Sequence, residues 1–259
     1  MQKPYSNCIY LQVGRMSFSH RSGVAGTEGW IAPELMLGNR STTCAVDIFS
    51  LGCVYYFVLS DGHHPFGESF KRQANILSNE FNLNLIQNNF EALNLVEKMI
   101  QVEPSLRPPS FAVLKHPLFW SKEKSLTFLQ EVSDRVDKED SDSAILASVE
   151  RNRSEIVKGN WLENVDEHIQ EDLLKHRTYK GNTVRDLLRA LRNKKHHYNE
   201  LPDITKMMYG RVPDQYYDYW TQRFPKLLIH SWMAMHCAKN EPNFVKYFDK
   251  NYDFVKVRQ

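Results

Sequence analysis

The stretch AVDIFSLGCVYYFVLS, Ala45 to Ser60, is apolar almost all the way round a helical wheel. A helix of that kind has no face to give to water, so it demands a place at the centre of a domain. The text around it agrees in kind. RQANILSNE and FEALNLVEKMIQV read as amphipathic helices, the second with Leu93, Val96 and Ile100 at spacings of three and four. PSLRPPSFAVLKHPLFW reads as a turn, a short helix and a stop, with Pro109 at a first helical position and Ser110 beside it. In SKEKSLTFLQEVSDRVD, Leu126, Leu129, Val132 and Val136 mark one buried stripe, and an acidic exit from Asp137 to Asp142 reads as a loop. Helical patterns continue to about Tyr252, with Asp214 and Pro225 as start signals. Residues 1–40 are punctuated by glycines and read as loop. No stretch beyond the first thirty residues alternates as a strand does, so the expected fold is mainly all-α, in two units meeting near Trp120.

Several classes of protein are excluded at this level. No run of about 18 apolar residues is present to span a bilayer, and the first residues lack the apolar core of a secretory signal. A cytoplasmic location is expected. Cys8, Cys44, Cys53 and Cys237 form no CxxC pair, which favours free thiols and argues against a zinc knuckle; no metal site is expected. The net charge is +2, so affinity for a polyanion must come from local clustering.

Such clustering exists. Between Lys175 and Lys195 lie eight cations, Lys175, Arg177, Lys180, Arg185, Arg189, Arg192, Lys194 and Lys195, against Asp186 alone. Val184, Leu187, Leu188 and Leu191 form the apolar stripe of a helix there, with Asn182 or Thr183 as its cap. Arg185, Arg189 and Arg192 share another face, where like charges repel and add nothing to helix stability. That is how a polyanion-binding face looks, and also how a solvated basic face looks. The segment ends in KKHHY, with His196 and His197 side by side. Metal-free cleavage of RNA needs a group to take the 2′-OH proton, one to protonate the leaving 5′-oxygen, and cations around the phosphate. Tyr179, His197 and the Arg192/Asn193 pair supply all three, provided cations lower the phenol's pKa. The aromatic run YYDYWTQRFPKLLIHSW serves either as core or as a stacking surface for bases.

GTEGWIAPE, DIFSLGC and SLRP, in this order, resemble the second half of a protein kinase C-lobe, from the activation segment onward. The resemblance implies that Glu34 of the Ala-Pro-Glu triplet pairs with Arg107, and that Asp47 and Gly52 sit on the central helix. Ser17, Ser19 and Ser22, among Arg15, His20 and Arg21, are then candidate phosphoacceptors. A glycine-rich nucleotide loop, a VAIK-like lysine, an HRDxxxxN loop and a DFG triplet are not in this sequence. Kinase activity is therefore expected to be lost, and the chain is expected to be a truncated product or a partial gene model.

The phrases RMSFSHRSGVAGTEGWIAPE, HPLFW and RTYKG…RNKKHHY together resemble the inositol-requiring enzyme family, the unfolded-protein-response sensors of the endoplasmic reticulum. The likeness runs from about Gly14 to Phe248, and the related antiviral ribonuclease L shares the plan. It implies a partial kinase C-lobe over 1–120 and a kinase-extension nuclease domain over 121–252. It implies metal-independent cleavage of stem-loop mRNA, starting the unconventional splicing of a transcription-factor mRNA, with no cofactor for RNA cleavage. ATP and Mg belong to the family's kinase half. By resemblance, Tyr179 is the general base and His197 the general acid, and Arg192 and Asn193 position the phosphate. Lys180, Arg185, Arg189, Lys194, Lys195 and His196 are the expected RNA contacts. Family members act as back-to-back dimers or oligomers on the cytosolic face of the endoplasmic reticulum membrane, and no membrane contact is expected within this chain. The rival reading is a catalytically silent fragment that oligomerises with the full-length sensor.

Overall fold

The structure is a computed structural model and describes residues 26–38, 43–175 and 177–255. Ser17, Ser19 and Ser22 lie outside the described residues. Thirteen α-helices and no strands occur among the described residues. In chain order they are α1 (Pro33–Met36), α2 (Ala45–Leu59), α3 (Ser69–Ser78), α4 (Phe90–Met99), α5 (Ser110–Leu114) and α6 (Lys122–Asp137). There follow α7 (Ala144–Val149), α8 (Arg153–Ile156), α9 (Glu167–Leu174), α10 (Val184–His196), α11 (Asp203–Tyr209), α12 (Asp214–Arg223) and α13 (Leu227–Ala234). No helix among the described residues is long and apolar enough to cross a membrane. The chain divides into two compact units. The first holds residues up to Ile86 together with Val96–Pro109, and the second Gln87–Leu95 together with Ser110 onward.

The first unit is built on α2. Ile48, Phe49, Cys53 and Tyr56 face inward. Gly52 lets the end of α4 approach, since a Cβ there would lie 2.7 Å from Met99 Cβ and 2.9 Å from Ile100 Cγ2. The expectation of all-round burial fails on the other side. Val54, Phe57, Val58 and Leu59 are exposed, Val58 by 69%. One side of α2 is covered within the unit and the other is left uncovered among the described residues, because an apolar period calls for cover without saying which segment supplies it. Glu34 and Arg107 form the clamp that the kinase resemblance implies. Arg107 donates Nη1 to Glu34 Oε1 at 2.7 Å and Nη2 to Oε2 at 2.9 Å. Its remaining donors reach the carbonyls of Gln101, Ala45 and Val102. Both side chains are buried, so the pair is a bidentate charge-assisted bond out of bulk water. Asp47 stands in the first turn of α2, where a carboxylate suits the helix dipole. His64 is structural: it accepts from the Phe66 amide and meets the Trp30 ring edge-on at 4.5 Å. Cys53 and Cys237 carry free thiols. Cys44 is disulfide-bonded, against the free thiol expected there.

In the second unit α10 packs mainly on α6. Leu126, Leu129, Val132 and Val136 of α6 and Val184, Leu187, Leu188 and Leu191 of α10 are all buried, as their spacing predicts. Ser121 caps α6 by accepting from the Lys124 amide. Tyr216, Tyr219, Trp220, Phe224 and Trp232 are buried, which places the aromatic run in the core and not on a stacking surface.

Candidate active site

The site is organised by α10, and its first turn leaves no amide unsatisfied. Four amides at a helix start lack intrahelical partners. Here Thr183 donates to the Lys180 carbonyl, and Asp186 donates to the Thr183 hydroxyl. Val184 and Arg185 donate to the two carboxylate oxygens of Glu150, at 3.1 and 2.9 Å. Thr183 is thus the side-chain cap, and a carboxylate from just after α7 supplies a second. The Asp186 side chain reaches back to the Lys180 amide at 2.7 Å. This bond fixes the YKGN turn that presents Tyr179. Trp161 closes the turn from outside, donating its amide to the Gly181 carbonyl and its ring Nε1 to the Lys180 carbonyl. A Cβ on Gly181 would overlap the Asn160 side chain, so any larger residue there must displace it.

Tyr179 is buried, with its ring edge-on to Trp161 at 5.7 Å. Its hydroxyl accepts from Asn193 Nδ2 at 3.4 Å. Asn193 Oδ1 in turn accepts from Arg192 Nε and Nη2, at 3.3 and 3.1 Å. Arg192 also donates Nη1 to Asp134 at 2.8 Å and Nη2 to Asp137 at 3.3 Å. A guanidinium has five N–H donors, so one Nη1 hydrogen of Arg192 is uncommitted by these bonds. His197 is the C-terminal cap residue of α10, and its amide donates to the Asn193 carbonyl. Residues four apart stand one helical turn from each other, so the backbone of His197 follows one turn after Asn193, whose side chain meets the phenol. The His197 side chain is 64% exposed, and its Nδ1 lies 2.9 Å from Glu200 Oε2.

The basic residues separate into two groups. Arg185 donates to the carbonyls of Glu139 and Asp137, which end α6. Arg189 pairs with Asp137 and Asp186. Lys194 is buried, and its ammonium pairs with Asp172 at 2.5 Å. These three hold the unit together. Lys180 and His196 are exposed and Lys195 is half-buried. Among the described residues none of their side chains has a hydrogen-bond or ion-pair partner. Asp137 ends α6 and does not belong to a loop alone, contrary to the reading of the acidic exit. Burial pushes its carboxyl up, but the bond and charge of Arg189, joined by Arg192, more than offset this and hold it below the usual carboxylate range. The missed signal was available: Asp134 and Asp137 lie three apart on α6, opposite in sign to the arginines of α10.

The described residues contain no group of three or more His, Cys, Asp or Glu side chains able to hold a metal. No VAIK-like lysine, HRDxxxxN loop or DFG triplet, the groups through which a kinase holds ATP and Mg, occurs in the 259 residues given.

Fold and site together define a chain that joins part of a protein kinase lobe to a helical module of the ribonuclease type. Residues 13–119 match the protein kinase domain family and residues 125–248 the Ribonuclease 2-5A family. The chain is 46% identical over 256 residues to the serine/threonine-protein kinase/endoribonuclease ire-1 of Caenorhabditis elegans, covering 97% of this chain and 26% of that protein. It is 47% identical over 247 residues to the serine/threonine-protein kinase/endoribonuclease IRE2 of Homo sapiens, covering 93% of this chain and 27% of that protein. With the sensor for unfolded proteins in the ER ire1 of Schizosaccharomyces pombe it shares 36% identity, over 87% of this chain and 23% of that protein. The chain belongs to the inositol-requiring enzyme family of serine/threonine kinase/endoribonucleases. It spans about a quarter of the length of these relatives.

Proposed function

We propose that the second unit, read as a module over 121–252, is an endoribonuclease that cleaves stem-loop mRNA by general acid–base catalysis. Tyr179 reacts as its phenolate, whose oxygen accepts the proton of a ribose 2′-OH and returns to the phenol, while the ribose oxygen attacks the adjacent phosphorus. The P–O5′ bond breaks as the phosphate closes on the ribose, and His197 delivers a proton to the departing 5′-oxygen. Arg192, through its uncommitted Nη1 hydrogen, and Asn193 stabilise the crowded phosphate. Lys180, Lys195 and His196 are free to meet the RNA backbone, each neutralised phosphate adding affinity that falls with salt. Arg185, Arg189 and Lys194 act on RNA indirectly, by shaping the helix that carries the site. The observation that carries this reading is Asn193, bonded to Tyr179 and Arg192 and standing one turn from His197. The module is proposed to act when two copies meet, and the parent protein to serve the unfolded-protein response at the endoplasmic reticulum.

A fluorescent stem-loop RNA incubated in EDTA over a series of protein concentrations tests this. Cleavage should rise faster than linearly with protein and vanish in His197→Ala. No cleavage at any concentration, or full cleavage by His197→Ala, overturns the proposal. No cleavage together with co-sedimentation on the full-length sensor would favour the silent-partner reading.

A further inference from the structure

We propose that Asp137, assisted by Asp134, is a positioning residue of the cleavage site: it holds Arg192 where that guanidinium orients Asn193 toward Tyr179. This rests on the nuclease reading above.

The two carboxylates sit in the last turn of α6, where the helix dipole favours cations and disfavours anions. Their placement therefore runs against the stability of α6 taken alone. Local choices that oppose local stability mark a role set elsewhere in the fold. Part of that role is structural. Asp137 Oδ1 takes Arg189, which also donates to the Asp137 carbonyl, and Arg185 covers the carbonyls of Asp137 and Glu139. Those bonds close the end of α6. Arg192 is different. Asp137 Oδ2 and Asp134 Oδ1 receive one donor from each of its Nη groups, and the Nε edge is left facing Asn193 Oδ1. Asn193, with its oxygen engaged by Arg192, has its Nδ2 directed to the Tyr179 hydroxyl. An unrestrained asparagine amide flips freely between its two acceptor and donor orientations. With Arg192 held, only the orientation that donates to Tyr179 keeps both bonds. The same hold sets the direction of the Nη1 hydrogen left for the phosphate. None of these carboxylate atoms touches RNA in this scheme, so their effect runs through Arg192.

Asp137→Asn keeps the volume and one acceptor but presents an amide N–H₂ to one of the two guanidiniums. The full 259-residue chain and its Asp137→Asn, Asp137→Glu and Asp134→Asn variants are assayed on the fluorescent stem-loop, with thermal melting in parallel. Asp137→Asn should lower kcat about tenfold or more, the usual scale for a partner that orients a reacting group, with KM unchanged or lower. Asp137→Glu should recover part of that loss. Where Asp137→Asn unfolds, Asp134→Asn decides, since its carboxylate is 59% exposed and pairs with Arg192 alone. A drop of about threefold in kcat at unchanged melting temperature is then expected, in keeping with a smaller share of the same hold. Folded variants that cleave at the wild-type kcat, or that lose only KM, overturn this role and leave the nuclease reading standing. Wild-type protein that does not cleave overturns both.

Discussion

Glu150 lies more than thirty residues before α10, yet it satisfies two of the amides at that helix's start. Removing it by Glu150→Ala exposes a defined defect. The Val184 amide belongs to a fully buried residue, so water does not replace the lost acceptor, and an orphaned buried donor costs about 1–3 kcal/mol. The Arg185 amide belongs to a half-buried residue that water reaches, which lowers its share to about 0.5–1 kcal/mol. Loss of an anion at a helix N-terminus adds about 0.3–1 kcal/mol. The sum is about 2–5 kcal/mol from the second unit. Urea unfolding of the wild type and variant measures it, and hydrogen exchange at the Leu187, Leu188 and Leu191 amides localises it to α10. Glu150→Gln, which keeps one acceptor and loses the charge, should fall between the two. A loss below about 0.5 kcal/mol for Glu150→Ala, with exchange unchanged, would show that α10 starts on Thr183 alone and refute the reasoning.

Two other predictions are independent of RNA. Glu34→Ala leaves the Arg107 charge buried, and should destabilise the first unit by about 3 kcal/mol, the lower end for a broken buried pair because three carbonyls still accept from the guanidinium; a loss under about 1 kcal/mol in chemical unfolding would make the clamp no better than a surface pair. The second unit should also weaken in mild acid. Burial, with the charge of His236, holds His116 at a pKa of about 3. Burial holds His236 at about 4 against the opposing pull of Asp253. Unfolded histidine titrates near about 6.5, so below that pH the unfolded chain takes up protons that the folded unit refuses. Stability is therefore full above about pH 6.5 and falls toward the folded pKa values, by about 1.4 kcal/mol per pH unit for each histidine. Urea midpoints at successive pH values from 7 to 5 that stay level would contradict the burial of these rings as neutral groups.

Much of the helical layout was readable in the residues themselves. The leucine stripe of α10, its Thr183 cap, the stripe of α6 and the start of α12 at Asp214 follow from side-chain period and cap chemistry, which act within a turn or two. The clamp of Glu34 and Arg107 was expected only through resemblance, since no local rule joins positions so far apart. The nature of the basic face was not readable in the same way. Arg185, Arg189, Arg192 and Lys194 look equivalent to Lys180 and Lys195 in the sequence, because charge is a property of the residue and its availability is not.

Tertiary packing made that division. It brought the end of α6 and Asp172 of α9 against α10, so that Asp134, Asp137 and Asp172 pair with Arg189, Arg192 and Lys194 while Arg185 meets the Asp137 and Glu139 carbonyls, and it left Lys180 and Lys195 outside. Among the described residues it left one side of α2 uncovered, despite an apolar pattern that asks for cover. Hydrophobic period is set along the chain and can be read there. Pairing of opposite charges and coverage of apolar faces depend on which distant segment arrives, and that is decided only once the helices pack.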